Sequence, residues 1–154
     1  MSTNDGEEVG MRLTAARTIR RPADEVFAFV SDATNNPRWQ RGMRSCEWTS
    51  PPPIGLGSTY RQEAAFLGRH IVTDFQVVDH QPGRSVTIRS TSGPFPITVR
   101  RSVTPLDAAT SRVEAEITGD PGRFFRLARP LVQRLAQRSV TGDYDRLEAL
   151  LNTR

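Results

Sequence analysis

Between Arg44 and Thr118 the sequence alternates apolar and polar residues in six short runs, and from Asp120 onward the spacing becomes helical. A period of two puts successive side chains on opposite faces of a strand, whereas a period near 3.6 gathers them on one stripe of a helix. The runs are Arg44 to Thr49, Ser58 to Phe66, His70 to His80, Ser85 to Ser92, Ile97 to Thr104 and Ser111 to Thr118. Pro51-Pro52-Pro53, Gly68, Pro82-Gly83, Gly93-Pro94, and Pro105 with Asp107 punctuate them. Consecutive strands with such short connections form an antiparallel meander. The apolar face of that sheet needs a cover, and the C-terminal segment is the one element large enough to provide it.

The segments on either side complete the pattern. Met11 to Arg20 alternates imperfectly, with Met11, Leu13, Ala15 and Ile19 on one face, and reads as a first strand. Pro22 stops it and presets a helix, with Asp24 and Glu25 near the N-terminus and Val26, Phe27, Phe29 and Val30 as the buried stripe. Asn35-Asn36-Pro37 forces a turn, and a short helical piece around Arg38 to Arg41 carries Trp39 inward. Asp120 as N-cap and Pro121 as first helical residue open the long helix, which runs to about Leu151 through Phe124, Leu127, Leu131, Leu135, Val140, Tyr144 and Leu147. Pro130 is expected to kink it.

A chain of 154 residues suits one core. Met1 to Gly10 is polar, acidic and without periodicity, and reads as a flexible tail ahead of a single domain over 11–154. With no signal-peptide pattern and no apolar run near the roughly 20 residues that span a bilayer, the expected location is cytoplasmic, without membrane insertion. All 21 basic residues are arginine and the net charge is +4, so lysine Schiff-base chemistry is excluded. The lone Cys46 permits no intrachain disulfide and reads as a small buried residue. His70 and His80 have no metal-ligand spacing, and no metal or other cofactor is expected. Gly55-Leu56-Gly57-Ser58 lacks the later glycine of a phosphate loop and leads into a strand. Arg123, Arg126, Arg129, Arg134 and Arg138 on the last helix read as its solvated face, so no nucleic-acid partner is expected.

Together these signals resemble the SRPBCC superfamily, the START-like or Bet v 1-like helix-grip proteins, and within it the bacterial polyketide cyclase/dehydrase-like branch. The resemblance spans about residues 11 to 154. It rests on Ile19-Arg20-Arg21-Pro22 followed by Glu25-Val26-Phe27, on Asp32 with Asn36-Pro37 and Trp39, and on Gly57 opening a strand. Val77, Pro82, Arg84, Gly93-Pro94, Pro105 and the long helix continue it. The implied fold is α+β: a curved antiparallel sheet of about seven strands wrapped around the C-terminal helix, with two short helices after strand 1. Asp32 is then expected to tie down the turn, and Trp39 to close one end of the core or to border a cavity mouth.

The resemblance further implies a cavity between the concave sheet face and the long helix. In the family's register the inward rows are Tyr60, Gln62, Ala64 and Phe66, then Ile71, Thr73, Phe75 and Val77, then Val86, Ile88 and Ser90. The last two rows are Ile97, Val99, Arg101 and Val103, and Val113, Ala115 and Ile117. Alternation supports several rows independently, because His70, Asp74, Arg89, Arg100, Arg112, Glu114 and Glu116 occupy the opposite faces. A slip of one residue would invert a strand.

Candidate ligand-binding residues on this reading are Tyr60, Gln62, Phe66, Thr73, Phe75, Ile88, Ser90, Val99, Arg101, Phe124, Leu127 and Leu131. Arg101 interrupts an apolar row, and a buried charge needs a partner. It either holds an oxygen of the ligand, or reaches the sheet edge, or pairs with a carboxylate such as Asp143. Tyr60 and Gln62 offer hydrogen bonds to a ligand, though a buried tyrosine is often only structural. Both histidines are expected outward or in a turn, which leaves Ser90 without a base and makes triad chemistry improbable. The leading expectation is binding of a small hydrophobic ligand (lipid, polyketide-like or isoprenoid) by a monomer or homodimer. One rival is an aromatase/cyclase or dehydratase in which Arg101 and Tyr60 stabilise an enolate. The other is an interaction module with a filled core.

Overall fold

The structure, a computed structural model, describes residues 10–121, 125 and 127–153. Arg123, Phe124, Arg126 and the tail before Gly10 lie outside the described residues. Strand β1 (Met11–Ile19) is followed by helix α1 (Ala23–Val30), a 3₁₀ turn over Ala33–Asn35 and helix α2 (Asn36–Trp39). Six strands follow: β2 (Met43–Trp48), β3 (Thr59–Phe66), β4 (Arg69–Gln81), β5 (Ser85–Ser92), β6 (Ile97–Pro105) and β7 (Ser111–Gly119). Helix α3 (Arg129–Asn152) closes the chain. The seven strands form one sheet in the order β1-β7-β6-β5-β4-β3-β2, antiparallel throughout. This is the helix-grip architecture the alternation and the resemblance imply.

Pairing confirms the expected inward rows. Tyr60 lies opposite Phe75, Gln62 opposite Thr73, Val86 opposite Arg101, Ile88 opposite Val99, and Arg101 opposite Ala115. The turn after α1 is held as expected: the Asp32 carboxylate accepts from the Thr34 N–H (3.0 Å), the Thr34 hydroxyl (2.7 Å) and the Trp48 indole N–H (3.3 Å). Phe29, assigned to the buried stripe of α1, is only partly buried and lies under the guanidinium of Arg38.

Two expectations are corrected. The long helix does not run unbroken from Asp120. Leu127 and Ala128 are not helical, and α3 begins at Arg129 with Pro130 in its first turn, where the missing proline N–H costs no helical hydrogen bond. Pro130 thus starts the helix instead of kinking it. His80 also does not face outward. A bulge between Val77 and Asp79 changes the parity of β4, so that His80 pairs with Val86 and brings its ring to 5.9 Å from that of Phe27.

Helix α3 lies mainly along β1, one edge of the sheet, with a smaller contact to α2. Its glutamines complete the edge strand's backbone hydrogen bonding. Gln137 accepts from the Thr14 N–H (3.2 Å) and donates to the Thr14 carbonyl (2.8 Å), and Gln133 donates to the Arg12 carbonyl (3.0 Å). An edge strand is thereby covered by side chains in place of a neighbouring strand.

Candidate functional site

The interior separates into two apolar clusters. The larger lies under α1, α2 and the C-terminal half of α3, with Ile19, Val26, Trp39, Phe75, Val113 and Leu147 each at most 2% exposed. The smaller joins Met11, Ile71, Phe125 and Val132, with Phe66, Leu67 and Phe95 packed against it. Between them lies a pocket of about 230 Å³. Sheet residues Leu13, Gln62, Ala64, Thr73, Ile97 and Ile117 form its floor, and Ala136, Ser139, Val140 and Asp143 of α3 form its roof.

Two glycines permit the close approaches around it. A Cβ on Gly42 would stand 2.6 Å from the Ala65 carbonyl oxygen, so only glycine lets the chain enter β2 alongside the end of β3. Gly93 has φ +138°, and a Cβ there would meet Thr73 Oγ1 at 3.2 Å and the Val72 carbonyl at 3.3 Å. The β5–β6 turn therefore presses its backbone onto Thr73.

The polar inventory of the pocket is small. Thr73 is fully buried, and its Oγ1 has no hydrogen-bond partner among the described residues; the same holds for Nε2 of Gln40 in the pocket wall. A buried hydroxyl or amide left unpaired costs about 1–3 kcal/mol, so such atoms mark places that await a partner. Asp143 is the one ionisable group among the described lining residues. Its Oδ1 accepts from the Arg41 backbone N–H (3.0 Å) and from the Arg146 guanidinium. Burial raises its pKa, and these two donors only partly offset the effect.

The candidate residues read from the sequence divide between pocket and core. Gln62, Phe66 and Thr73 line the pocket. Phe75, Ile88 and Val99 are closed into the larger cluster, and Ser90 spends its hydroxyl accepting from the Ile97 N–H (2.9 Å). Leu127 and Leu131 are 44% and 43% exposed, because the helix starts late and turns Val132 and Ala136 inward in their place. Phe124 lies outside the described residues.

Arg101 is buried in the filled end of the core, neither at the sheet edge nor paired with Asp143. It donates to the Tyr144 hydroxyl (3.0 Å) and the Val30 carbonyl (3.4 Å), and its guanidinium lies 5.2 Å from the Trp39 ring centre. Tyr60 is stacked on Phe75 and edge-on to Trp48, each at 5.3 Å, and burial drives its pKa strongly upward. A void of about 10 Å³ adjoins Arg101 and Tyr60. Cys46 is buried and its thiol is pushed up to about 11, chiefly by loss of solvation, which makes it a poor nucleophile. Trp39 belongs to the core and does not border the pocket.

The sequence reading missed Gln40, Gly42, Phe95, Ser139 and Asp143. The first three lie in turns or at an element end, where no periodicity points to a shared wall. Ser139 and Asp143 share one face of α3, but their spacing is equally that of an exposed stripe. Among the described residues no cluster of His, Cys, Asp and Glu can hold a metal ion, and no helix is long and apolar enough to cross a membrane.

A curved antiparallel sheet closed by a long helix, with an apolar pocket at one end of the grip, defines a helix-grip protein of the START-like class. The chain belongs to the polyketide cyclase/dehydrase and lipid transport family, whose model matches residues 11–152. Among solved structures it is similar to a START superfamily protein from Mycobacterium smegmatis, with 18% identity, TM-score 0.78, and coverage of 92% of this chain and 97% of that one. It is also similar to the Zhui aromatase/cyclase from a Streptomyces species, with 13% identity, TM-score 0.73, and coverage of 93% and 94%. A ginseng major latex-like protein from Panax ginseng shows 15% identity, TM-score 0.69, and coverage of 94% and 99%. At these identities the likeness is one of fold. No curated protein matches the chain by sequence.

Proposed function

We propose that this protein binds a small, largely apolar molecule in the pocket between the two core clusters. The observation that carries this reading is the pairing of apolar walls with two buried, unpartnered polar atoms, Thr73 Oγ1 and Gln40 Nε2. Ligand sites combine apolar lining with a few such groups, which fix orientation. At about 230 Å³ the pocket is somewhat below the roughly 300–1,000 Å³ of drug-sized sites, which suits a compact ligand or one end of a longer one.

Binding is preferred to catalysis because acid–base chemistry needs at least one free proton-transfer group near the reacting atoms. Arg101 and Tyr60, the residues suited to an enolate mechanism, are bonded or stacked inside the core. Asp143 is already an acceptor for two donors.

Native mass spectrometry of the purified protein, set against its denatured mass, tests the reading. The expected result is a discrete excess mass that disappears on denaturation and is reduced in Thr73→Val. A bare native mass, together with no saturable uptake of decanol, would overturn it.

A further inference from the structure

Outside the pocket, between α3 and the end of β3, runs a groove of about 510 Å³. Gly42, Ala65, Phe66 and Ser139 line both spaces, so the groove adjoins the pocket along these residues. The groove continues the apolar lining through Leu67 and Leu135 and then adds Arg41, Arg138 and Arg146. Arg146 is committed: it donates to the Trp39 carbonyl (3.2 Å) and to Asp143. Arg41 and Arg138 are exposed, and among the described residues neither guanidinium has a hydrogen-bond or ion-pair partner. The Asp143 carboxylate is engaged by Arg146 and by the Arg41 backbone.

Two guanidinia without partners among the described residues border one groove of mixed lining, and their planar donors match an oxyanion that can accept from both. We propose that the ligand is an amphiphile whose apolar part enters the pocket while an anionic oxygen head, phosphate or carboxylate, rests on Arg41 and Arg138. This deepens the binding reading above and rests on it. The small pocket volume then has a simple meaning: it takes one end of the molecule, and the groove takes the rest.

Calorimetric titration at low salt with decyl phosphate, decanol and inorganic phosphate tests the assignment on wild type and on the Arg41→Gln/Arg138→Gln double variant. Decyl phosphate is expected to bind wild type at least about tenfold more tightly than decanol, with the ratio shrinking as salt screens the head group. In the double variant the ratio falls to about one, and an unchanged melting temperature shows that the variant is folded. Equal affinities in wild type, or an undiminished preference in the variant, would overturn the anionic head while leaving the apolar pocket in place. Inorganic phosphate binding as tightly as decyl phosphate would also overturn it, because the groove would then be a surface anion site independent of the pocket. Binding of neither decyl compound would remove the pocket reading itself.

Discussion

At Arg101 the alternation puts a guanidinium on the concave face, and nothing in the sequence says what it meets there. The partners come from elsewhere in the chain: Tyr144 on α3, the Val30 carbonyl at the end of α1, and the Trp39 ring from α2. A charge so placed links three elements across the sheet. Its loss leaves the buried Tyr144 hydroxyl short of a partner and opens a cavity. Arg101→Ala is therefore expected to cost about 2–4 kcal/mol in a urea melt. Decanol affinity, measured well below the melting temperature, is expected to stay within about threefold of wild type, as for sites without shared partners. A selective loss of binding with unchanged stability would instead place Arg101 at the ligand.

Among the elements, α3 depends most directly on β1. The apolar stripe of α3 has two possible readings along its first turns, Leu131 with Leu135 or Val132 with Ala136, because adjacent residues on a helix point only about 100° apart. The structure buries Val132 and Ala136 and leaves Leu131 exposed. What decides is the lateral position of the helix. Gln133 and Gln137 reach the β1 backbone only when that edge of the sheet lies beside them. Removing the two hydrogen bonds between Gln137 and the Thr14 backbone, together with its bond to the Thr141 hydroxyl, is expected to cost about 1–2 kcal/mol. Gln137→Ala should show this in denaturant melts, together with faster hydrogen exchange at the Thr14 amide, whose acceptor is lost.

For the molecule as a whole, α3 lies along β1, and a groove beside the pocket runs between α3 and the end of β3. The same placement draws Asp143 partly out of water. A carboxyl whose folded pKa is raised contributes stability that is fully present below the unfolded value, here 3.8, and is lost as pH rises through the folded pKa. The difference in unfolding free energy between wild type and Asp143→Asn is therefore expected to drift against wild type as pH climbs from 3.8 toward neutrality. Parallel denaturant melts across that range measure it, and a flat difference would mean that Arg41 and Arg146 cancel the cost of burial.

The sequence alone determined the run of strands, their antiparallel order and the long closing helix, while the inward rows from Tyr60 to Ile117 came from the family's register, with alternation in support for several strands. Period-two alternation and turn residues act locally, and one buried sheet face leaves a single register free of exposed apolar rows. Tertiary structure alone decided which end of the concave face is filled and which stays open. Gln62, Thr73 and Phe66 belong to the same rows as Tyr60, Phe75 and Val77, with the same alternation, yet the first three border the pocket and the others are core. The difference lies in what stands above each row: α1, Trp39 and Tyr144 fill one end, while small Ala136 and Ser139 of α3 stand over the other. Packing across elements far apart in sequence makes that choice, and no local pattern encodes it.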